Sequence, residues 1–330
     1  MNRRVFLFAC TASAWAGQRR DVSRPVFPYP EQQHPHSARG RDIAGFARTL
    51  TIERGIPYAR RPEIELTLDV YSPARRPPSP LPCVLAFGLS GFRINETQYR
   101  WDLDHLPPAP TPNLYPPILA RRRVVVVANL RVSAQAMFPA QIHDAKCALR
   151  WVRTHARRLG IDPDRIGLFG ASASGSLVSL LALTAAKGQL DDPSCHPSVS
   201  TQVKAVCSMS GIYDFTYYEK KDSGNGSLFL DVIPPYLGRD DRLYGQASPA
   251  NYVHPGAPPF FLIHGLQDRR VPYSQMPYFA ALLRKAGITV ETESINNYQH
   301  GPLPGREPDP GYPATDANIY RFFARYLDSA

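Results

Sequence analysis

Residues 165–188 read RIGLFGASASGSLVSLLALTAAKG and decide the fold class of this chain. The apolar run before Gly170 predicts a buried strand, and the apolar run after Gly175 predicts a helix, so small residues form the turn between them. Glycine gives such a turn the backbone freedom that it needs. Ser172 lies at the centre of the turn between small neighbours. The stretch therefore predicts an exposed nucleophile at a sharp strand-to-helix elbow.

Strand and helix patterns alternate on both sides of this elbow. Alternating apolar and polar residues over 64–71 predict a half-buried edge strand, and continuous apolar runs at 82–87 and 124–129 predict central strands. Further strands are predicted at 165–170, 203–208, 259–264 and 288–293, and helices at 141–159, 174–187, 274–286 and 316–327. Gly160 is predicted to end the first helix. This alternation favours an α/β fold with a mostly parallel central sheet covered by helices on both faces.

Composition is compatible with one globular unit and does not favour a nucleic-acid partner. The chain has 330 residues, of which 43% are hydrophobic, enough to fill a sizeable core. Its formal charge is +10, but the arginines are scattered and form only one run, at 121–123. Scattered charge predicts a solvated basic surface rather than a binding stripe. The sequence leaves the oligomeric state open.

The first 48 residues are predicted to lie outside the folded domain. Residues 1–16, MNRRVFLFACTASAWA, resemble a twin-arginine export signal cleaved after Ala16. Residues 17–48 are rich in Pro and Arg and predict an extended leader, which leaves 49–330 as a single domain. No later apolar run reaches the roughly 20 residues that a membrane helix needs. The mature chain is therefore expected to be periplasmic or extracellular, without a membrane span.

Cysteine usage leaves the redox state open and predicts no metal site. Loss of Cys10 with the signal leaves Cys83, Cys147, Cys195 and Cys207, an even number that permits three pairings. Buried free thiols are an equal alternative, because Cys83 and Cys207 lie in strand-like apolar runs. The Cys195–His196 pair is too sparse for a zinc site, and no metal is predicted.

Three side chains suited to nucleophilic catalysis follow three predicted strands. Ser172 follows RIGLFG, Asp268 follows PFFLIHG, and His300 follows ITVETES. Reactive groups in open α/β sheets collect beyond the carboxyl ends of the strands. A serine nucleophile needs an imidazole to accept its proton, and the imidazole needs a carboxylate to fix its tautomer. The three residues are therefore candidates for one catalytic unit.

Four stretches make the chain resemble an α/β-hydrolase of the bacterial esterase branch related to feruloyl and acetyl-sugar esterases and the hormone-sensitive-lipase group. They are LTLDVYSPA (66–74), residues 138–175, ASPANYV (247–253) and PPFFLIHGLQDRRVPYSQ (258–275). The resemblance implies the order serine, acid, histidine, and His300 is the only histidine after Asp268. Rivals for these roles are Ser174, Ser176, Asp214, Asp231, His143, His155 and His264. The rival serines do not lie at the elbow, and the rival acids lack the HGLQDRRVP context. The rival histidines precede Asp268 and are better explained as helix-surface or strand-end residues.

The chain departs from the family pattern twice. Ser174 replaces the last glycine of G-x-S-x-G, which adds a hydroxyl to a crowded helix–strand contact. The oxyanion loop, His-Gly-Gly-Gly-aromatic in the family, aligns with GLSGF at 88–92. The resemblance implies that backbone N–H groups of Leu89 or Ser90, together with that of Ala173, stabilise the oxyanion. Loss of such a donor typically costs about 10²–10³ in rate.

The reaction that the resemblance implies is ester hydrolysis through an acyl-serine, with no cofactor. Aromatic residues in two loops are predicted to contact a saccharide or aryl ring: Trp101, Tyr115, Tyr217 and Tyr218. These loops lack the long apolar helix of a lipase lid, so short acyl or aryl esters of small alcohols or sugars are the expected substrates. A serine amidase or exopeptidase is the second possibility. A weakly active binding protein on a hydrolase scaffold is the third.

Overall fold

An eight-stranded sheet forms the centre of the computed structural model, which describes residues 49–62, 64–95, 122–216, 233–238, 240–296, 298–300 and 312–328. The strands are β1 (Leu50–Arg61), β2 (Ile64–Pro73), β3 (Leu81–Phe87), β6 (Val124–Ala128), β7 (Ile161–Ala171), β8 (Ala205–Met209), β9 (Phe260–Gly265) and β10 (Val290–Ile295). Their order in the sheet is β1-β2-β6-β3-β7-β8-β9-β10. Antiparallel pairing joins β1 to β2 and β2 to β6, and all other neighbours are parallel. A two-stranded hairpin of β4 (Leu89–Ser90) and β5 (Ile94–Asn95) lies outside this sheet.

Helices follow the parallel strands in the alternating order that the sequence predicts. They are α1 (Ala140–Thr154), α2 (Ala156–Leu159), α3 (Ala173–Thr184), α4 (Ile233–Leu237), α5 (Asp241–Ala247), α6 (Gln275–Lys285) and α7 (Tyr312–Phe323). A 3-10 turn, Pro249–Tyr252, and a π-helical turn, Ala324–Asp328, complete the described elements. None of the helices in the described part of the chain is long and apolar enough to cross a bilayer.

Apolar side chains pack on both faces of the sheet. The face covered by α1, α3 and α6 holds alternate residues of each strand, such as Leu85 of β3 with Leu149 of α1 and Leu177 of α3. The opposite face holds the intervening residues, such as Val84, against Phe322 of α7. Strands buried on both faces must be continuously apolar, which explains the runs at 82–87 and 124–129. The predicted α/β class, with helices on both faces of a mostly parallel sheet, is confirmed.

Two predictions about local structure are wrong. The edge strand on this side is β1 and not the strand over 64–71, because β2 pairs with β1 on one side and with β6 on the other. The register of β1 shifts twice along its length, so its sequence does not show a strict period of two. The predicted helix over 141–159 divides at His155 into α1 and α2, and Gly160 ends α2 with a φ of 66°.

The loop between α3 and β8, residues 185–204, is bound to α1 by a disulfide and by ion pairs. Cys147 and Cys195 are joined, whereas Cys83 and Cys207 are buried free thiols. Lys146 donates to Asp191 Oδ1 at 2.6 Å, and Arg150 forms an ion pair with the same carboxylate. Burial tends to raise the pKa of Asp191, but hydrogen bonds and charge from Lys146 and Arg150 outweigh it and hold that pKa below its ordinary value. We call this group, Lys146, Cys147, Arg150, Asp191 and Cys195, the tether.

One member of the arginine run at 121–123 lies in the interior. Arg123 is fully buried, and its guanidinium makes two hydrogen bonds to the carboxylate of Asp328, at 2.9 and 2.5 Å. The central carbon of this guanidinium, Cζ, also lies 4.6 Å from the centre of the Tyr320 ring. The first core strand after the run is thus fastened to the end of the last helical segment, and this arginine adds nothing to the basic surface.

Candidate active site

The elbow between β7 and α3 holds Ser172 in a backbone conformation that residues other than glycine rarely adopt. Its φ and ψ are 56° and −123°, and its N–H donates to Met209 O at 2.8 Å. Such conformations store strain and persist only where neighbouring structure enforces them. A side chain on Gly170 would lie 2.3 Å from the carbonyl oxygen of Ser174, so only glycine allows the chain to turn this tightly. The sequence GASASG therefore forms the predicted elbow.

Ser172, His300 and Asp268 form a continuous line of hydrogen bonds. The hydroxyl of Ser172 lies 2.6 Å from His300 Nε2, and His300 Nδ1 lies 2.8 Å from Asp268 Oδ2. Because the carboxylate can only accept, Nδ1 carries the proton and Nε2 is left to accept the proton of Ser172. Gly265 allows the segment just before His300 to pack closely on the end of β9, since a Cβ at Gly265 would lie 2.3 Å from the carbonyl oxygen of Tyr298.

Backbone and side-chain donors together fix the carboxylate of Asp268. Its Oδ1 accepts from the backbone N–H groups of Arg270 and Val271, at 2.8 and 2.9 Å. Its Oδ2 accepts from His300 and lies 3.2 Å from Nε2 of His264. Burial tends to raise the pKa of Asp268, but hydrogen bonds from His264 and His300 outweigh it and hold that pKa well below its ordinary value. The carboxylate therefore stays ionised at pH values well below those at which an ordinary aspartate takes up a proton.

His264 is the site residue that sequence reasoning missed. It is fully buried in β9, and its Nε2 lies within hydrogen-bond distance of Val271 O as well as Asp268. Its Nδ1 is buried without a hydrogen-bond partner among the described residues. The sequence carries one signal for this role, a polar residue four positions before Asp268 in an otherwise apolar strand.

The rival residues have other partners. Asp214 accepts from the backbone and hydroxyl of Thr216 in a local turn, and Ser176 donates to the carbonyl oxygen of Ser172. His155 bonds to Trp151 O and stacks on the Trp151 ring. Asp231 lies outside the described residues.

The predicted oxyanion donors come from two segments beside Ser172. Ala173 is the first residue of α3, where N–H groups have no acceptor within the helix. The N–H of Leu89 is directed at Ser174 Oγ, 3.2 Å away. The other predicted loop amide belongs to Ser90, which pairs with Ile94 in the hairpin of β4 and β5.

Aromatic residues anchor the far end of this loop. The ring of Phe92 is buried and stacks on Tyr236 of α4 at 3.7 Å, and Phe215 lies 6.1 Å from it. The four residues predicted to bind a sugar or aryl ring, Trp101, Tyr115, Tyr217 and Tyr218, lie outside the described residues. Within the described ranges, no three or more His, Cys, Asp or Glu side chains gather as a possible metal site.

The BD-FAE family model matches residues 68–283, more than half of the 330-residue chain. The chain belongs to the BD-FAE family. Both Ser172 and Asp268 lie within the part that matches BD-FAE, whereas His300 follows it. This membership agrees with the resemblance to α/β-hydrolase esterases.

One curated relative of this BD-FAE chain is named an esterase. Esterase LipQ of Mycobacterium tuberculosis is 36% identical over 186 residues, which are 54% of this chain and 42% of LipQ. The chain thus spans less than half the length of that curated relative.

Among solved structures, a truncated carbohydrate esterase from gut microbiota has a TM-score of 0.68 and 23% identity, covering 85% of this chain and 98% of that one. A Thermogutta terrifontis esterase with bound propionate has a TM-score of 0.66 and 23% identity, covering 86% of this chain and 97% of that one. At these identities, the two structures establish the fold alone.

Proposed function

We propose that this chain is a serine carboxylic ester hydrolase whose catalytic residues are Ser172, His300 and Asp268. His300 accepts the proton of Ser172 as Oγ attacks the ester carbonyl, and Asp268 stabilises the imidazolium that forms. His300 then returns the proton to the leaving alcohol, which departs and leaves the acyl-serine. Water, activated by His300, attacks the acyl-serine and releases the acid.

One observation carries this proposal: a line of hydrogen bonds from Asp268 through His300 to Ser172, ending at a strained elbow. Both distances in the line, 2.8 and 2.6 Å, are those of direct hydrogen bonds. The developing oxyanion would be met by the N–H of Ala173 and by an amide of the loop over 88–92. The names of LipQ and the carbohydrate esterase support the same reaction class.

The proposed substrates are short acyl or aryl esters, including esters of sugars. A structure of the Thermogutta esterase holds propionate, and the gut-microbiota neighbour is named a carbohydrate esterase, which supports compact acyl groups and sugars as the substrate class to test. Values of kcat/KM over p-nitrophenyl esters of increasing chain length should be highest at two to four carbons. An optimum at long chains, or activation by emulsified lipid, would contradict this substrate class.

We also propose that the chain is exported and cleaved after Ala16. The arginine pair at the start of the chain motivates this, and the disulfide between Cys147 and Cys195 supports it, because disulfides persist in oxidising compartments. Fractionation of a bacterial host with N-terminal sequencing would test it. Full-length protein retained in the cytosol would contradict it.

The function itself is tested by Ser172→Ala with a fluorophosphonate probe. Ser172→Ala should lose labelling and about 10⁵–10⁶ in kcat while its unfolding temperature stays close to that of the parent chain. Ser179→Ala is the matched control, because Ser179 is a buried serine of the same helix that donates to Gly175 O. Parallel assays with aminoacyl amides distinguish an esterase from an amidase. Ordinary ester hydrolysis by folded Ser172→Ala would refute the proposal.

A further inference from the structure

Ser174 forms hydrogen bonds unlike those of the other hydroxyl side chains of α3. Ser176, Ser179 and Thr184 each donate to the carbonyl oxygen four residues earlier in the chain. This is the ordinary arrangement for a hydroxyl inside a helix. Ser174 is 2% exposed, and its hydrogen bonds run to residues 85 to 87 positions away. Its hydroxyl therefore links the helix to another part of the fold.

The segment that Ser174 contacts is the oxyanion loop. The Oγ of Ser174 lies 2.8 Å from Phe87 O and 2.9 Å from Leu89 O, and it accepts from the N–H of Leu89 at 3.2 Å. One hydroxyl hydrogen serves the two carbonyl oxygens, while a lone pair accepts the amide. The two departures from the family pattern, at residue 174 and in GLSGF, are thus in direct contact.

These contacts constrain the two peptide groups of the oxyanion loop that flank Leu89. The carbonyl of Leu89 and the N–H of Ser90 belong to one planar trans peptide, in which they point in opposite directions. Drawing Leu89 O toward Ser174 Oγ therefore turns the Ser90 N–H away from Ser174, on the side where Ser90 pairs with Ile94 of β5. The bond to the N–H of Leu89 fixes the preceding peptide as well. Rotation of either peptide would break one of these bonds.

The remainder of the loop is fastened by other contacts. Gly88 N–H donates to Ala128 O at 3.2 Å, and Phe92 O accepts from Ser133 N–H at 2.7 Å. Between these two points, the side chain of Ser174 holds the backbone of Leu89: its Oγ accepts from the Leu89 N–H and donates to the Leu89 carbonyl oxygen.

We propose that Ser174 is a positioning residue that holds the oxyanion loop at Leu89 against the start of α3, so that the loop amides keep their place around the oxyanion. This rests on the proposed function, in which that oxyanion forms on the carbonyl attacked by Ser172. In this chain, a hydroxyl from the helix performs the orienting task that the conformation of a glycine-rich loop performs in the family. Because negative charge develops on the carbonyl oxygen only during the reaction, the contribution belongs to the transition state.

Removal of the hydroxyl should lower kcat more than it changes KM. Loss of a whole oxyanion donor costs about 10²–10³ in rate, and a donor that is present but free to turn should cost less, about 10- to 100-fold. The affinity for a trifluoromethyl ketone, which forms an oxyanion on Ser172, should fall by the same factor as kcat/KM. The pH profile of kcat/KM should keep its shape, because Asp268 and His300 are untouched.

The experiment compares Ser174→Ala and Ser174→Gly with Ser179→Ala and Ser172→Ala, using p-nitrophenyl acetate, the trifluoromethyl ketone and a fluorophosphonate. Titration with the fluorophosphonate counts intact sites, so partial unfolding cannot mimic a loss in kcat per site. The expected result is a 10- to 100-fold lower kcat in both Ser174 variants, with matching loss of ketone affinity and parent-like values for Ser179→Ala.

Two results would overturn the inference while leaving the function intact. One is a kcat per site in both Ser174 variants within twofold of Ser179→Ala, with Ser172→Ala inactive. The other is a lower kcat accompanied by an altered pH profile, which would indicate displacement of His300. Full activity of Ser172→Ala would instead remove the proposed function, and the inference with it.

Discussion

The site around Ser172 and the tether both hold a carboxylate among cationic or potentially cationic partners, but the partners differ. Asp268 accepts from the imidazole of His300 and lies close to that of His264. Asp191 accepts from the ammonium group of Lys146 and the guanidinium of Arg150, and a disulfide joins the same helix and loop.

This difference in partners separates a group that can transfer protons from one that can only hold the chain together. Imidazole gains and loses a proton near neutral pH, whereas guanidinium keeps its charge throughout the physiological range. The hydrogen bonds of Asp268 can therefore follow a proton through a reaction cycle. Those of Asp191 persist, and their consequence is stability. Variants in the first group should change rate, and variants in the second should change unfolding.

The largest effect is expected from Asp268→Asn. The amide can donate to His300 Nδ1, which places the proton on Nε2 and leaves nothing to accept the proton of Ser172. We expect a loss of about 10⁴ in kcat, as tautomer inversion causes in such triads, with little change in unfolding temperature. Asp214→Asn, which alters the rival acid, should keep parent-like kcat. Retention of a tenth of the activity by Asp268→Asn would place the acid elsewhere.

The tether should show the opposite pattern. Cys147→Ala combined with Cys195→Ala opens a link between residues 48 positions apart. The chain-entropy relation assigns about 4 kcal/mol of unfolding free energy to a loop of that length. Denaturant unfolding should detect this loss, while kcat at 25 °C stays unchanged. Reductant should destabilise the parent chain but not the double variant, and equal sensitivity of both would contradict the disulfide.

The acid side of the pH profile sharpens the contrast. Because the pKa of Asp268 is held below its ordinary value of 3.8, this carboxylate stays ionised as the pH falls to about 4. On the acid side of the profile, kcat/KM should fall tenfold per pH unit, the slope of a single proton on the catalytic base. The ionised carboxylate stabilises the fold above about pH 4, and this contribution is lost as pH falls toward the lowered pKa. A slope of two would show that a second group titrates.

The smallest effect is expected from His264→Phe. The phenyl ring lacks the Nε2 donor of His264, but the Oδ1 of Asp268 still accepts from the backbone N–H groups of Arg270 and Val271. We expect kcat to fall by a factor of about ten or less, because the carboxylate retains its orientation. His155→Phe, which alters a histidine stacked on Trp151, is the control. A loss as large as that of Asp268→Asn would make His264 an essential part of the unit.

Fold class and site geometry followed from the sequence where one local pattern had one physical meaning. Runs such as VVVVA are continuous only in strands buried on both faces, and GASASG leaves few conformations besides a tight elbow. Chain order then left His300 as the only histidine able to follow Asp268.

The rest depends on contacts between distant residues. The pairing of Cys147 with Cys195 depends on where the loop over 185–204 folds back, which neither cysteine encodes locally. The bulged edge strand β1 lacks the regular period that would mark it as a strand. The division of the predicted helix at His155 leaves no mark in the sequence, because the apolar face continues across it. The sequence predicts that Ser174 crowds a helix–strand contact, because its hydrogen-bond partners lie in a loop more than 80 positions earlier and cannot be seen locally.

The ion pair between Arg123 and Asp328 has a consequence for the order of folding. The two residues are 205 positions apart, so a chain growing from its N-terminus carries β6 long before the partner of Arg123 exists. A buried guanidinium without its carboxylate is costly. The middle of the sheet can therefore complete its packing only after Asp328 has been synthesised. Folding should accordingly be late, governed by long-range contacts, and slow during synthesis.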